Sequence, residues 1–171
     1  MLSLQRSRLA TVLVAFGLLT GCANGGESDN TVRDAAIYRA VVVDLVDRSR
    51  ADLEPSEDLP VLFIEALGVD GIPLQVQVEV VAGFVEQYEI RFIDQFDEAV
   101  EVDLPGQPVR PQSLLIGLGD IDVDETAEVH SELYLSVDDI RGFSYTLVGA
   151  DDGQWDVVGE PVDIEPEGLV P

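Results

Sequence analysis

Hydrophobic positions recur with a different period in each stretch of this chain, and the period changes at Pro, Gly and acidic clusters. Over residues 31–50 they return at three- and four-residue steps. Tyr38, Val41, Val42 and Leu45 share one side, while Arg33, Asp44, Asp47 and Arg48 take another. This pattern predicts a helix. Thr31 and Asp34 suit its first turn, where a hydroxyl and a carboxylate satisfy orphan amides, and Asp44 and Arg48 are spaced to pair. Residues 51–60 carry Pro55 and Pro60 and form a loop; residues 61–67 are a short buried strand. The next stretch fits two periods. Leu74, Val76, Val78 and Val80 alternate like a strand, yet Val76, Val80 and Phe84 align at four-residue steps, and Pro73 suits a first helical turn. A helix over 73–87 is expected, weakened by Gly83 and the valines. Residues 88–93 follow as a strand with Ile90 and Phe92 on one face.

After a loop holding Pro105, Pro108 and Pro111, the pattern becomes an antiparallel meander with strands near 112–119, 127–136, 142–149 and 154–159. A three-residue loop Asp151-Asp152-Gly153 with Gly153 left-handed sets Trp155 opposite Gly149 and Val157 opposite Leu147. Trp155 and Val157 then join the face of Tyr145 and Phe143; a two-residue turn loses that match. The fold class expected is α+β, two helices packed on one face of a largely antiparallel sheet that ends in a four-stranded meander. The closing Asp-Gly-Gln-Trp-Asp-Val is similar to the end of the cone-shaped nuclear-transport-factor-like domains. That similarity covers the last third of the chain, and no function is carried over from it.

The amino terminus follows other rules. Arg6 and Arg8 precede an apolar run of eleven residues from Leu9 to Leu19, which fits a signal-peptide core and is too short for the roughly twenty residues a bilayer span needs. The run ends in Leu19-Thr20-Gly21-Cys22, which resembles the lipobox of bacterial lipoproteins. The resemblance implies diacylglyceryl transfer to the Cys22 thiol and cleavage on its amino side, with Leu19, Thr20 and Gly21 recognised by the signal peptidase. Cys22 is the one cysteine, so no disulfide is available to the exported domain. The chain therefore divides into a cleaved segment 1–21, a lipidated cysteine with a small, polar, flexible tether over 22–30, a single acidic domain over 31–163 and a frayed tail over 164–171.

Charge narrows the partners. The 171-residue chain carries 34 acidic residues against 9 basic ones, and loss of Arg6 and Arg8 takes the net charge from −25 to −27. Such a body is repelled by anionic lipid headgroups, so lipid on Cys22 is the expected membrane contact. Nucleic acid is excluded as a partner, because binding it rests on Lys and Arg at phosphates. The field favours cations or the basic surface of an envelope protein, while a solvated acidic coat that prevents aggregation is the more common explanation of such a charge.

Few polar clusters suggest chemistry. Asp120, Asp122 and Asp124 alternate as calcium ligands do, but an EF-hand loop needs Gly where Glu125 stands and Glu where Ser131 stands. The competing expectation is an acidic hairpin loop with Ile121 and Val123 turned inward. His130, the one histidine, shares a strand face with Glu128, Glu132 and Tyr134. A carboxylate-flanked imidazole suits a general base, yet no nucleophile motif, phosphate loop or zinc ligand set accompanies it. Trp155, Tyr145 and Phe143 are expected in the core. The chain is thus expected to be a non-enzymatic, cofactor-free lipoprotein on the extracytoplasmic side of the cell membrane, with a binding or scaffolding domain. Two alternatives stay open: a small-ligand or hydrolase-like pocket around His130, and a calcium-binding envelope or adhesion protein.

Overall fold

The computed structural model describes residues 25–53, 58–68 and 71–169, so Cys22 and the preceding Leu19, Thr20 and Gly21 lie outside the described residues. Helix α1 (Gly25–Arg48) is followed by β1 (Val61–Ala66), α2 (Leu74–Ala82), β2 (Glu89–Ile93), a short 3-10 turn at Phe96–Glu98, and strands β3 (Ser113–Val123), β4 (Ala127–Ser136), β5 (Asp139–Gly149), β6 (Trp155–Val157) and β7 (Val162–Ile164). The strands form one sheet in the order β2-β1-β3-β4-β5-β6, with β7 added against β5. The fold is α+β, with two helices and a mixed sheet. None of the described helices is long and apolar enough to cross a membrane.

The sheet changes character at β3. β1 pairs in parallel with both β2 and β3, whereas β3-β4-β5-β6 is an antiparallel meander. α2 is the crossover that makes β1–β2 parallel, and residues 94–112 are the one that makes β1–β3 parallel, since a strand can return parallel to its neighbour only through a crossover. Both helices pack on one face. Ile37, Val41, Val42 and Leu45 of α1 and Val76 and Val80 of α2 meet Leu62, Ile64, Leu114 and Ile116 there. Each such side chain contributes roughly 1.5–3 kcal/mol on burial. α2 stops at Ala82, short of Gln87, and residues 83–87 continue as turns with Gly83 donating to Val80. The valine-rich, Gly-ended sequence has too little helix propensity to carry it further.

The last hairpin has the register its turn chemistry dictates. Gly153 is left-handed at φ 81°, Gly149 faces Trp155, and Leu147 faces Val157. Trp155, Val157, Phe143 and Tyr145 all join the helix-side core. β3 runs on through Asp120 and Asp122, so the acidic hairpin loop shrinks to Asp124, Glu125 and Thr126. Ile121 and Val123 point into the core as strand alternation requires.

Two expectations about the ends are corrected. Gly25–Asn30, read as part of a flexible tether, are the first residues of α1. A helix nucleated by the buried Ala35–Val46 surface extends cheaply, because each added residue fixes two dihedrals and adds one hydrogen bond. The tail as far as Leu169 is not frayed. β7 pairs with Gly142, Phe143 and Ser144 of β5, and Leu169 is 1% exposed in a second apolar cluster with Phe63, Leu115 and Tyr134. That cluster lies on the face opposite the helices. It is roofed by the 3-10 turn, by Ala99 and Val100 of the β2–β3 crossover, and by the tail. Leu169→Ala is expected to lower stability by about 2–4 kcal/mol in urea unfolding, the range for a buried leucine that leaves a cavity.

Candidate functional site

A row of paired residues crosses the second face of the sheet. Glu65 of β1 pairs with Gly117 of β3, Gly117 with Glu132 of β4, and Glu132 with Gly142 of β5. Two glutamates thus alternate with two glycines, and the glycines leave a trough for the tail. A Cβ on Gly142 would stand 2.7 Å from the carbonyl oxygen of Ile164, so the close approach of β7 requires glycine there.

Glu132 lies in this trough at 4% exposure. Its Oε1 accepts the backbone N–H of Glu167 at 2.6 Å and of Gly168 at 2.8 Å, and its Oε2 accepts that of Leu169 at 2.7 Å. Three successive amides replace the hydration of one buried carboxylate. Glu65 is less well provided for. Its Oε2 is buried with no hydrogen-bond partner, and burial, then the Glu132 charge, pushes its pKa above the usual glutamate range.

Beside the trough is a cleft of about 750 Å³. Asp120 and Asp122 of β3, Glu128, His130 and Glu132 of β4, and Glu165 and Glu167 of the tail line it, together with Leu67, Ile164 and three glycines. No arginine among the described residues reaches it. The structure therefore gathers Asp120, Asp122, Glu128, His130 and Glu132, which the sequence separates, and leaves Asp124 at the hairpin tip, outside the cleft. Among the described residues no three His, Cys, Asp or Glu side chains converge tightly enough to hold a metal ion. His130 is exposed and its ring has no hydrogen-bond partner, and Glu132, which strand alternation places next to it, is committed to the tail.

Sequence reasoning missed the tail's part in the cleft. Glu165 and Glu167 sit in a Pro- and Gly-rich segment without periodicity, and only the docking of β7 brings them to the sheet. On the other face a smaller groove of about 460 Å³ separates α1 from the last hairpin and the turn after α2; Arg39 and Trp155 line it. The tyrosines are structural. Tyr38 donates to the Gly119 carbonyl and Tyr145 to Asp44, both at 2.9 Å, and burial raises the pKa of each hydroxyl well above its ordinary value.

Two substitutions separate the glutamates. Glu132→Gln replaces an acceptor of three N–H groups by an amide with one oxygen, and is expected to lower the urea midpoint by an amount equivalent to about 1–3 kcal/mol. Glu65→Gln is expected to stabilise the protein at neutral pH. The raised pKa of Glu65 means that the folded state favours its protonated form. Its contribution is complete below the ordinary glutamate range and is lost as pH rises through the raised value. The difference between Glu65→Gln and the parent should therefore vanish in unfolding curves taken below about pH 4.

No protein-family model matches this chain, and no curated protein or solved structure matches it either.

Proposed function

We propose that this chain is an exported lipoprotein, held to the extracytoplasmic face of the cell membrane by lipid on Cys22, whose domain is a non-enzymatic binding module for a cationic partner. The observation that carries the binding half is the cleft of the second sheet face. Asp120, Asp122, Glu128, Glu165 and Glu167 line it with no arginine among the described residues to neutralise them. A concave surface of one sign concentrates oppositely charged ligands and speeds their encounter. A basic segment of an envelope protein has the required chemistry, and the charge of −27 left once Arg6 and Arg8 are lost from the −25 of the full chain steers in the same direction.

The anchor supports this role. Cys22 precedes the first described residue of α1, Gly25, by three positions, a reach of about 10 Å at full extension. The domain is thus carried close to the bilayer, and two acyl chains supply the attachment its charge does not. The exposed His130 ring and the engagement of Glu132 by the tail weigh against the hydrolase-like alternative.

Each half has its own test. Labelled fatty acid should enter the parent chain and not Cys22→Ala; label in the variant would refute the anchor. The purified lipoprotein should bind an oligo-arginine peptide with an affinity that falls as salt rises. Asp122→Asn with Glu128→Gln should weaken binding about three- to tenfold, the worth of two half-screened charges. Unchanged peptide affinity in that double variant would remove the cleft from the proposal.

A further inference from the structure

Among the described residues all arginines but one are engaged by the chain's own oxygens. Arg33 pairs with Asp34, Arg48 with Asp44 and Glu160, Arg50 with Asp47, Arg91 with Glu89, and Arg141 with Asp139 and Asp52. Arg110 donates to the carbonyls of Glu98 and Asp97. Arg39 alone among the described arginines makes neither a hydrogen bond nor an ion pair with the chain, although 34 acidic residues surround it in sequence. It is half-buried, on the face of α1 that borders the groove of about 460 Å³.

The local packing holds its stem in place. A Cβ on Gly83 would stand 2.4 Å from Arg39 Cδ, so the glycine that ends α2 is what lets the arginine stem lie there. The remaining lining is amphipathic. Ala36, Ala40, Phe84 and Trp155 supply apolar surface, and Asp156 of β6 lines the same groove as an exposed carboxylate without a partner. Asp44 and Asp47, which also border it, are tied to Arg48 and Arg50.

We infer that this groove binds an apolar α-amino acid as its zwitterion, with the ligand carboxylate on Arg39, its ammonium toward Asp156 and its side chain on Trp155 and Phe84. A guanidinium fork matches a carboxylate in a bidentate geometry. The groove volume lies within the range of about 300–1,000 Å³ found for small-molecule sites. Net charge selects the ligand class further. A bare anion approaching so acidic a body is repelled, whereas a zwitterion carries no net charge and meets a fixed charge of each sign inside the groove. The site is independent of the acidic cleft, which opens on the opposite face of the sheet.

Trp155 is the single tryptophan of the chain and so reports on the groove directly. The full-length lipoprotein in detergent should show a saturable change in tryptophan emission, and a matching calorimetric signal, on titration with L-phenylalanine. Phenethylamine lacks the carboxylate and 3-phenylpropionate lacks the ammonium; each should bind at least about tenfold more weakly, the loss expected for a charge-assisted hydrogen bond. Arg39→Gln should weaken L-phenylalanine binding about tenfold or more with an unchanged melting temperature, and Arg39→Lys should restore part of it. Three results would overturn the inference: neither signal at about 10 mM L-phenylalanine, equal binding of phenethylamine, or undiminished binding by Arg39→Gln.

Discussion

The Glu132 carboxylate holds the second face of this protein together. It sits in the middle of the sheet, almost free of solvent, with no ion pair to an arginine among the described residues. An isolated ion in that position costs several kcal/mol in lost hydration, and the three tail amides return it as charge-assisted hydrogen bonds. The dependence is mutual. Without the tail the carboxylate is orphaned, and without the carboxylate the amides of Glu167, Gly168 and Leu169 lose their acceptors. Leu169 is thereby delivered to Phe63, Leu115 and Tyr134, so a polar contact and an apolar cluster form together.

This coupling answers a problem set by the parallel half of the sheet. Neighbouring residues such as Leu62, Phe63 and Ile64, or Leu114, Leu115 and Ile116, are apolar on both sides, and a strand of that kind needs a cover on each face. Two helices cover one face. The other receives an irregular crossover and a tail that carries few backbone bonds of its own, and such segments need side chains to fix them. Glu132 serves the tail, and the Tyr134 hydroxyl, bound to the Gln107 carbonyl at 2.9 Å, serves the crossover.

The same arrangement distributes the charge. Acids outnumber arginines so heavily that nearly every guanidinium among the described residues is consumed within the fold, and carboxylates are left over wherever the backbone gathers them. The tail adds Glu165 and Glu167 to the strand acids Asp120, Asp122 and Glu128, which makes a one-signed cleft. On the helix side the exception among the described arginines is Arg39, whose guanidinium borders a groove of mixed apolar and acidic lining. The two faces thus present opposite problems of charge compensation, and the binding roles proposed for them follow from that difference.

What the sequence determined by itself is local. The period of Tyr38, Val41, Val42 and Leu45 specified the core face of α1, and the Asp-Asp-Gly loop specified the register of Trp155 and Val157, because both depend only on geometry within a few residues. Alternation placed Ile121 and Val123 inward for the same reason. It also put His130, Glu128 and Glu132 on one face, but alternation says nothing of what lies above that face. Only the tertiary structure decided that β1 pairs in parallel with β2 and β3, that α1 runs back through residues read as tether, and that the tail docks as β7. The strand pairings and the docking of β7 depend on partners far apart in the chain, and the reach of α1 depends on the buried helix surface from which it propagates. The clearest case is Glu132, which the sequence set beside the histidine and the fold gave instead to three amides 35 to 37 residues away.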